Sequence, residues 1–405
     1  MNILHTSDWH LGAELEGLSR ADEQKHFLTW LLETMREREV EVLLMAGDIF
    51  HHSHPSAAAQ AMFYEFIQKM NALPALRHAV FIGGNHDSPS RLEAPAPLFK
   101  DRKMTLIGGY NADREEELLV PITGESGEVE LVVAAAPYVH ETRLRVNPMG
   151  KDSEELRSAT VHAFESFYRR LGELAKSRWP KVPLVGMGHL TCGGDATEDD
   201  YGTALHNVGN IDALPSSIFC PTLYTYVALG HIHRGYRVDK GCANYSGSPL
   251  TLRFNASELS ERRVVLVDGK TGDYERVAIP LARHLRQIKG TREEVEAELK
   301  AMQSTSELDT WVSIVMRTDD TMMDPVTHFR ELAPEGVFVV MVQQHRLTRS
   351  ERIAERENLP DVRSMTPKEI FIELFKYENE GGEPSENLLR KFDQSAVAVI
   401  GGEHE

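Results

Sequence analysis

The sequence predicts an α/β protein: a large layered domain, then a smaller α/β unit, then a short helical tail. Three observations carry this expectation. From residue 1 to about 280, short apolar runs alternate with amphipathic helical stretches, as strands and helices do when stacked in layers. After Pro280 the rhythm changes to strand, helix, strand, helix, strand. Beyond it, the charge-rich Thr348–Val362 is followed by two short segments with apolar stripes.

Taken in order, Asn2–Thr6 reads as a strand. Ala21–Glu37 reads as a helix with Phe27, Leu28, Leu31, Leu32 and Met35 on one face. Val40–Ala46 is expected as a strand, Ala57–Met70 as a helix and Ala79–Ile82 as a strand. Val129–Ala135 is the next strand, Ser153–Ala175 a long helix and Val182–Met187 a strand. Thr225–Leu229, Arg263–Val267 and Tyr274–Ile279 complete the large domain, residues 1–280. The second unit, 281–347, holds Leu285–Lys289, Glu293–Met302, Trp311–Met316, Val326–Leu332 and Val337–Val342. Residues 348–365 read as an exposed linker and 366–395 as a helical segment containing Pro367–Tyr377 and Pro384–Phe392.

Composition narrows the function classes. The chain has 405 residues, 41% hydrophobic and 26% charged, the balance of an ordinary folded protein and not of a disordered or fibrous one. Acidic residues among the first thirty (Asp8, Glu14, Glu16, Asp22, Glu23) leave no apolar core for a signal peptide. No uncharged apolar run approaches the roughly 18 residues of a membrane helix. Cys192, Cys220 and Cys242 are widely spaced, and reduced thiols in a cytoplasmic protein are expected. The net charge of −18 argues against a free-standing nucleic-acid binder, whose affinity rests on Lys and Arg neutralising phosphates. Net charge does not decide what one cleft can do. No Gly-x-x-x-x-Gly-Lys-Ser/Thr occurs, so the chain carries no P-loop of its own.

Five apolar runs each finish in residues able to ligate a metal. Ile3-Leu4 leads to Asp8 and His10, Val42–Met45 to Asp48, and Val80–Ile82 to Asn85, His86 and Asp87. Leu184-Val185 leads to His189, and Tyr226–Leu229 to His231 and His233. Open α/β sheets bind ligands at the carboxyl ends of their strands, so side-by-side strands would bring these residues together. Gly47, Gly84, Gly188 and Gly230 precede four of the clusters and permit sharp turns and close backbone approach. Imidazole, carboxylate and amide donors without thiolate suit a catalytic site for divalent first-row metals. One such run alone is an ordinary loop histidine; five in this order are not.

In this order, D-x-H, G-D, G-N-H-D, H and G-H-x-H, the residues resemble the calcineurin-like metallophosphoesterases. ILHTSDWHLG, GDIFH and the stretch Val208–Phe254 are similar to the SbcD nucleases, the nuclease subunits of the bacterial SbcCD complex. The resemblance implies two packed mixed β-sheets flanked by helices, with a smaller capping domain. It implies one metal held by Asp8, His10, Asp48 and His233 and a second by Asp48, Asn85, His189 and His231, with Asp48 bridging. Manganese is the ion the family implies, although nothing in the donor types demands it. Two cations some 3.5–4 Å apart would suit hydrolysis of an anionic, poorly electrophilic phosphodiester. His86 is expected to protonate the leaving oxygen, with Asp87 either orienting its ring or stabilising the turn. His51 matches a substrate-contacting position, and Ser246 and Ser248 are candidate phosphate contacts or turn residues. His52, His54, His162, His206 and His284 are read as solvated or structural, and Arg253 as an exposed ion-pair partner.

The implied activity is exonucleolytic on duplex ends and endonucleolytic on single-stranded or hairpin DNA, in repair, recombination and replication. The implied partner is a coiled-coil ATPase like SbcC, joined in a heterotetramer around a homodimer of this chain. The helix Ala57–Met70 is a candidate dimer surface. Ile370, Phe371, Leu374 and Phe375, with Leu388, Leu389 and Phe392, form two stripes suited to docking the ATPase or to folding back on the chain. A nucleoid-associated place in the cytoplasm follows from the same resemblance. Two other readings stay open: a phosphomonoesterase or small-molecule phosphodiesterase of the same superfamily, and a non-catalytic scaffold.

Overall fold

The computed structural model of the chain describes residues 1–99, 103–124, 126–147, 149–193, 213–254, 261–318, 321–346, 367–378, 383–385 and 387–392. The linker expected at 348–365, His206 and residues 208–212 lie outside them.

The large domain contains, in chain order, β1 (Asn2–Thr6), β2 (Glu14–Leu15), β3 (Leu18–Ser19), β4 (Val42–Ala46), β5 (His78–Ile82), β6 (Met104–Ile107) and β7 (Leu119–Thr123). It continues with β8 (Val129–Ala135), β9 (Leu184–His189), β10 (Tyr226–Gly230), β11 (Ala243–Tyr245), β12 (Arg263–Asp268) and β13 (Tyr274–Ala278). One sheet has the order β13-β12-β1-β4-β5-β6, the other β11-β10-β9-β8-β7. Both are mixed. β1, β4, β5 and β6 run parallel, β12 pairs antiparallel to β1, and β13 pairs antiparallel to β12 at the edge. In the second sheet only β7 opposes its neighbour.

Alternation along each strand decides which face meets what. Val42, Leu44 and Ala46 of β4 pack in one core with Val133, Val227 and Leu229 of the second sheet. Leu43 and Met45 point the other way, into a core with Phe27 and Leu31 of α1 (Ala21–Glu37) and Phe63 and Phe66 of α2 (Ala57–Met70). Both faces of β4 are therefore buried, so its sequence is continuously apolar. After the short α3 (Pro89–Glu93), α4 (Ser153–Arg178) covers the outer face of the second sheet through Phe164, Phe167, Tyr168 and Leu171. A capping box between Asp152 and Glu155 starts α4. The layers are helix, sheet, sheet, helix.

A third sheet is parallel throughout: β14 (Leu285–Gly290), β15 (Thr310–Thr318) and β16 (Val337–Arg346). α5 (Arg292–Ala301) and α6 (Pro325–Leu332) connect its strands, and Ile288, Val295, Leu299, Val312, Ile314 and Phe329 form its own core. Trp311 and Val340 pack against Leu15 of the large domain. In the tail helix Pro367–Glu378, the Phe371 ring stacks on Phe392 at 4.3 Å. Among the described residues, no helix is long and apolar enough to cross a membrane.

Candidate metal centre

The topology gathers the five ligand-bearing strand ends. β1, β4 and β5 are neighbours in the first sheet, and β9 and β10 in the second. They run parallel within each sheet, so their carboxyl ends share one edge.

The turns at those ends are unusual. Asp8, His10, Asp48 and His231 have φ of +53°, +46°, +54° and +97°, a region side-chain-bearing residues rarely adopt. Such strain, of order 1–3 kcal/mol per residue, persists where surroundings over-determine it, typically at functional sites. Here backbone bonds do so: Asp8 N–H donates to Gly47 O at 2.9 Å and His10 N–H to Asp48 O at 3.0 Å. A Cβ on Gly84 would collide with the Asp48 carboxylate. This is the close approach for which glycine is required.

The side chains converge in two groups. Donor atoms of Asp8, His10 and His233 lie within 4.8 Å of one another, as do those of Asp8, Asp48 and His189. Asp48 Oδ2 sits between them, 3.7 Å from His10 Nε2 and 3.3 Å from His189 Nε2. The Asn85 carboxamide oxygen accepts from His189 Nε2 and His231 Nδ1, both at 3.0 Å. All seven expected ligands thus meet in one cluster.

Hydrogen bonds behind the cluster set the tautomers. His189 Nδ1–H donates to Ala46 O at 2.8 Å, which aims Nε2 at Asp48 and Asn85. Ser7 Oγ donates to Asp8 Oδ2 at 2.5 Å, and Gln24 Nε2 donates to His10 O at 2.8 Å. Reading the sequence alone missed Ser7 and Gln24 as supports. Ser7 adjoins Asp8 and could have been found; Gln24 carries no sequence signal.

Burial dominates the electrostatics. It holds His10 well below the usual histidine range and His231 at about 3, so both are neutral lone-pair donors. Burial also raises Asp8, to about 6, against the pull of His189 and His233. Burial alone would depress His189, but Asp48 and Asp8 outweigh it and raise the ring to about 9. Burial likewise opposes Asp48 ionisation, yet His189 and its neighbours hold the Asp48 carboxyl far below the usual range. Without a cation, the His189 imidazolium supplies the positive charge beside Asp48. Buried imidazole, carboxylate and amide donors around two negative groups fit divalent metal ions.

Backbone and hydroxyl hydrogen bonds place the neighbouring residues. His86 Nδ1–H donates to the His51 carbonyl at 2.8 Å. The Asp87 carboxylate accepts from the N–H groups of Gly84, Ile49 and Phe50 at 2.9, 3.1 and 3.0 Å, the bonding of a turn-stabilising residue. Burial and Asp48 raise Asp87 to about 6 despite these bonds. Asp87 ties the β5 turn to the β4 turn. Ser248 Oγ lies 2.8 Å from both Asp8 O and Leu250 O, and Ser246 Oγ bonds Ser7 Oγ at 2.8 Å. Both serine side chains are buried and brace the Asp8 turn, and both line a hollow beside His233. His51 faces the centre, its Nδ1 3.3 Å from His10 Nδ1 and its ring stacked on His86 at 5.6 Å.

Two facing mixed sheets whose strand ends collect these donors define a metallophosphoesterase. The model of the calcineurin-like phosphoesterases matches residues 1–235. A second model, described as the type 5 capsule protein repressor C-terminal domain, matches residues 282–379. The chain is 34% identical to the SbcD component of the nuclease SbcCD of Rhodobacter capsulatus, over 70% of each chain. It is 28% identical to the proteins of the same name from Escherichia coli K12 and Bacillus subtilis, over 100% and 98% of both chains respectively. The chain belongs to the SbcD family of calcineurin-like phosphoesterases.

Proposed function

We propose that the chain is the nuclease subunit of a two-component DNA-processing complex, using two divalent cations, with manganese the preferred ion. The observation that carries this reading is the convergence of Asp8, His10, Asp48, Asn85, His189, His231 and His233 from two sheets. Asp8, His10, Asp48 and His233 would hold one ion, and Asp48, Asn85, His189 and His231 the other. When bound, such a pair neutralises phosphoryl oxygens and supplies a nucleophile near neutral pH.

The chain's own residues do the rest. Asp48 lies between the groups and would bridge them. His86, its ring oriented by the Nδ1–H bond to the His51 carbonyl, would carry a proton to the leaving oxygen. His51, stacked on His86 beside His10, would meet the substrate phosphate. Residues 281–347 would lie over the centre as the unit that positions DNA, and the tail would dock an ATPase partner. A net charge of −18 supports that division of labour, since the partner must then supply much of the phosphate-neutralising surface. A homodimer within a heterotetramer, in the cytoplasm at the nucleoid, is the assembly this reading takes. Match over the full length to nuclease subunits supports it over a monoesterase or a scaffold.

The test is cleavage of labelled duplex, hairpin and single-stranded DNA with manganese, beside Asp48→Ala, His86→Gln and a p-nitrophenyl phosphate control. DNA cutting lost in both variants, with negligible monoester turnover, is expected. Robust monoester turnover with DNA intact would move the chain to the phosphatase branch.

A further inference from the structure

The first turn of α1 holds two adjacent residues that face different parts of the molecule. Gln24 donates to His10 O and accepts from Gly12 N–H at 3.1 Å, supporting the metal-ligand turn. Glu23, one residue earlier, is 2% exposed and faces the third sheet's unit. Its Oε1 accepts from Arg20 Nε at 2.6 Å and from Arg283 Nε at 2.9 Å. Arg283 lies two residues before β14, and its Nη1 donates to Asp309 O at 2.6 Å, just before β15. Both guanidinium groups lie over the Trp311 ring, at 5.7 Å for Arg20 and 4.1 Å for Arg283.

This is an Arg–Glu–Arg triad laid across the junction of the two units, with Arg20 and Glu23 buried and Arg283 partly buried. A buried charge triad is a poor source of net stability, because desolvation offsets its attraction, but removing one member leaves an uncompensated charge. Its best-attested use is to select one arrangement over others. Among the described residues, Glu23 Oε2 has no hydrogen-bond partner, and Glu23 lines a cavity of about 360 Å³ with His284, Arg286 and Gln287. The apolar part of the junction centres on Leu15, Trp311 and Val340, with Leu18, Phe254, Leu285, Phe338 and Met341 packed against them. Apolar contact is non-directional, so the charged groups fix the relative placement.

The triad also reaches the centre. Arg20 Nη1 donates to Thr251 O at 2.6 Å. The neighbouring Leu250 carbonyl lies 2.8 Å from Ser248 Oγ, the same hydroxyl that lies 2.8 Å from Asp8 O. One continuous set of contacts thus runs from Arg283 through Glu23, Arg20 and the 248–251 turn to Asp8.

We propose that Glu23 is a positioning residue: clamped between Arg20 and Arg283, it fixes the 281–347 unit in register with the metal centre, so that a long substrate is presented to the ions while a small one is not affected. The inference rests on the nuclease reading above. The test measures kcat and KM of the full chain with manganese on linear duplex DNA and on bis(p-nitrophenyl) phosphate, a diester too small to span both units. Glu23→Gln keeps the side-chain volume and removes the charge. It is expected to lower kcat/KM on duplex by about tenfold or more, as misplacement of a substrate does, with the small diester changed less than about twofold. Arg283→Gln breaks the triad from the other unit and is expected to give the same split. Arg283→Lys, which keeps the charge but loses the fork, should recover part of the duplex activity.

Equal loss on both substrates would overturn the proposal, since Glu23 would then serve the metal site or the fold in general. Unchanged duplex cleavage in both Gln variants would overturn it too. Failure of the underlying reading shows separately, in the unsubstituted chain, as diester hydrolysis without DNA cutting.

Discussion

The backbone N–H of His231 donates to both carboxylate oxygens of Asp8, at 3.0 and 3.2 Å, joining the first ligand cluster of the chain to the last across two sheets. The two turns cannot move independently. Asp8 O is held in turn by Ser248, so three segments far apart in sequence share one carboxylate and its peptide.

Ser248→Ala therefore tests scaffold against substrate contact. Loss of the hydroxyl leaves buried carbonyls short of a donor, at a cost of about 1–3 kcal/mol. The expected result is a lower melting temperature and a lower kcat with KM for DNA little changed. A raised KM at unaltered stability would return Ser248 to the substrate.

Asp87→Asn separates the two residues that their adjacency in sequence suggests are a pair. Asn keeps one acceptor but not two, so the bonds from Gly84, Ile49 and Phe50 cannot all persist. Reduced thermal stability is expected, with kcat on DNA per folded molecule little changed. A large fall in kcat at unaltered stability would show that Asp87 acts on the His86 ring.

Metal binding should release protons. His189, raised to about 9, holds a proton on the Nε2 that a cation must occupy. Manganese affinity is expected to rise between pH 7 and 9, and calorimetry in buffers of different ionisation enthalpy should detect the released proton. A pH-independent affinity with no buffer effect would contradict the assignment of His189 as a ligand.

His5 gives a stability prediction. It spans the sheets, Nε2–H donating to Leu229 O at 3.1 Å and Nδ1 accepting from Tyr226 Oη at 2.9 Å. Burial, against the raising effect of the Leu229 carbonyl, lowers it from 6.5 to about 3. A folded-state value below the unfolded one means the unfolded chain binds the extra proton. Stability is present above pH 6.5 and falls as pH drops from 6.5 towards 3. Thermal unfolding from pH 7 to 4 should show a shallower pH dependence for His5→Gln than for the unsubstituted chain, despite a lower midpoint at pH 7. Equal slopes would show that His5 does not set the acid limb of stability.

What was legible in the sequence follows from burial. β1, β4, β5, β9 and β10 lie in sheet interiors, so their runs are plainly apolar, and the ligands at their ends stood out by type and order. β6, β7, β11 and the β2–β3 hairpin escaped notice. β6, β7 and β11 are edge strands, with polar or proline residues such as Thr105, Pro121 and Asn244 in place of continuous apolar runs, and the hairpin strands have two residues each. The centre's supports were the least legible part. The bonds from Ser7, Gln24 and Ser248, and the contact of His86 with the His51 carbonyl, depend on turns whose φ values no composition encodes. Asp87 shows the same: sequence left ring orientation and turn bracing open, and its bonds to Gly84, Ile49 and Phe50 match the bracing role.

The most direct measurement is a manganese-soaked crystal of the chain, with anomalous scattering locating the ions. Two peaks some 3.5–4 Å apart are predicted, both touching Asp48, one beside His10 and His233 and one beside Asn85, His189 and His231. A single peak, or ions at the His10–His51–His86 group in place of the Asp48 pair, would contradict the two-metal centre.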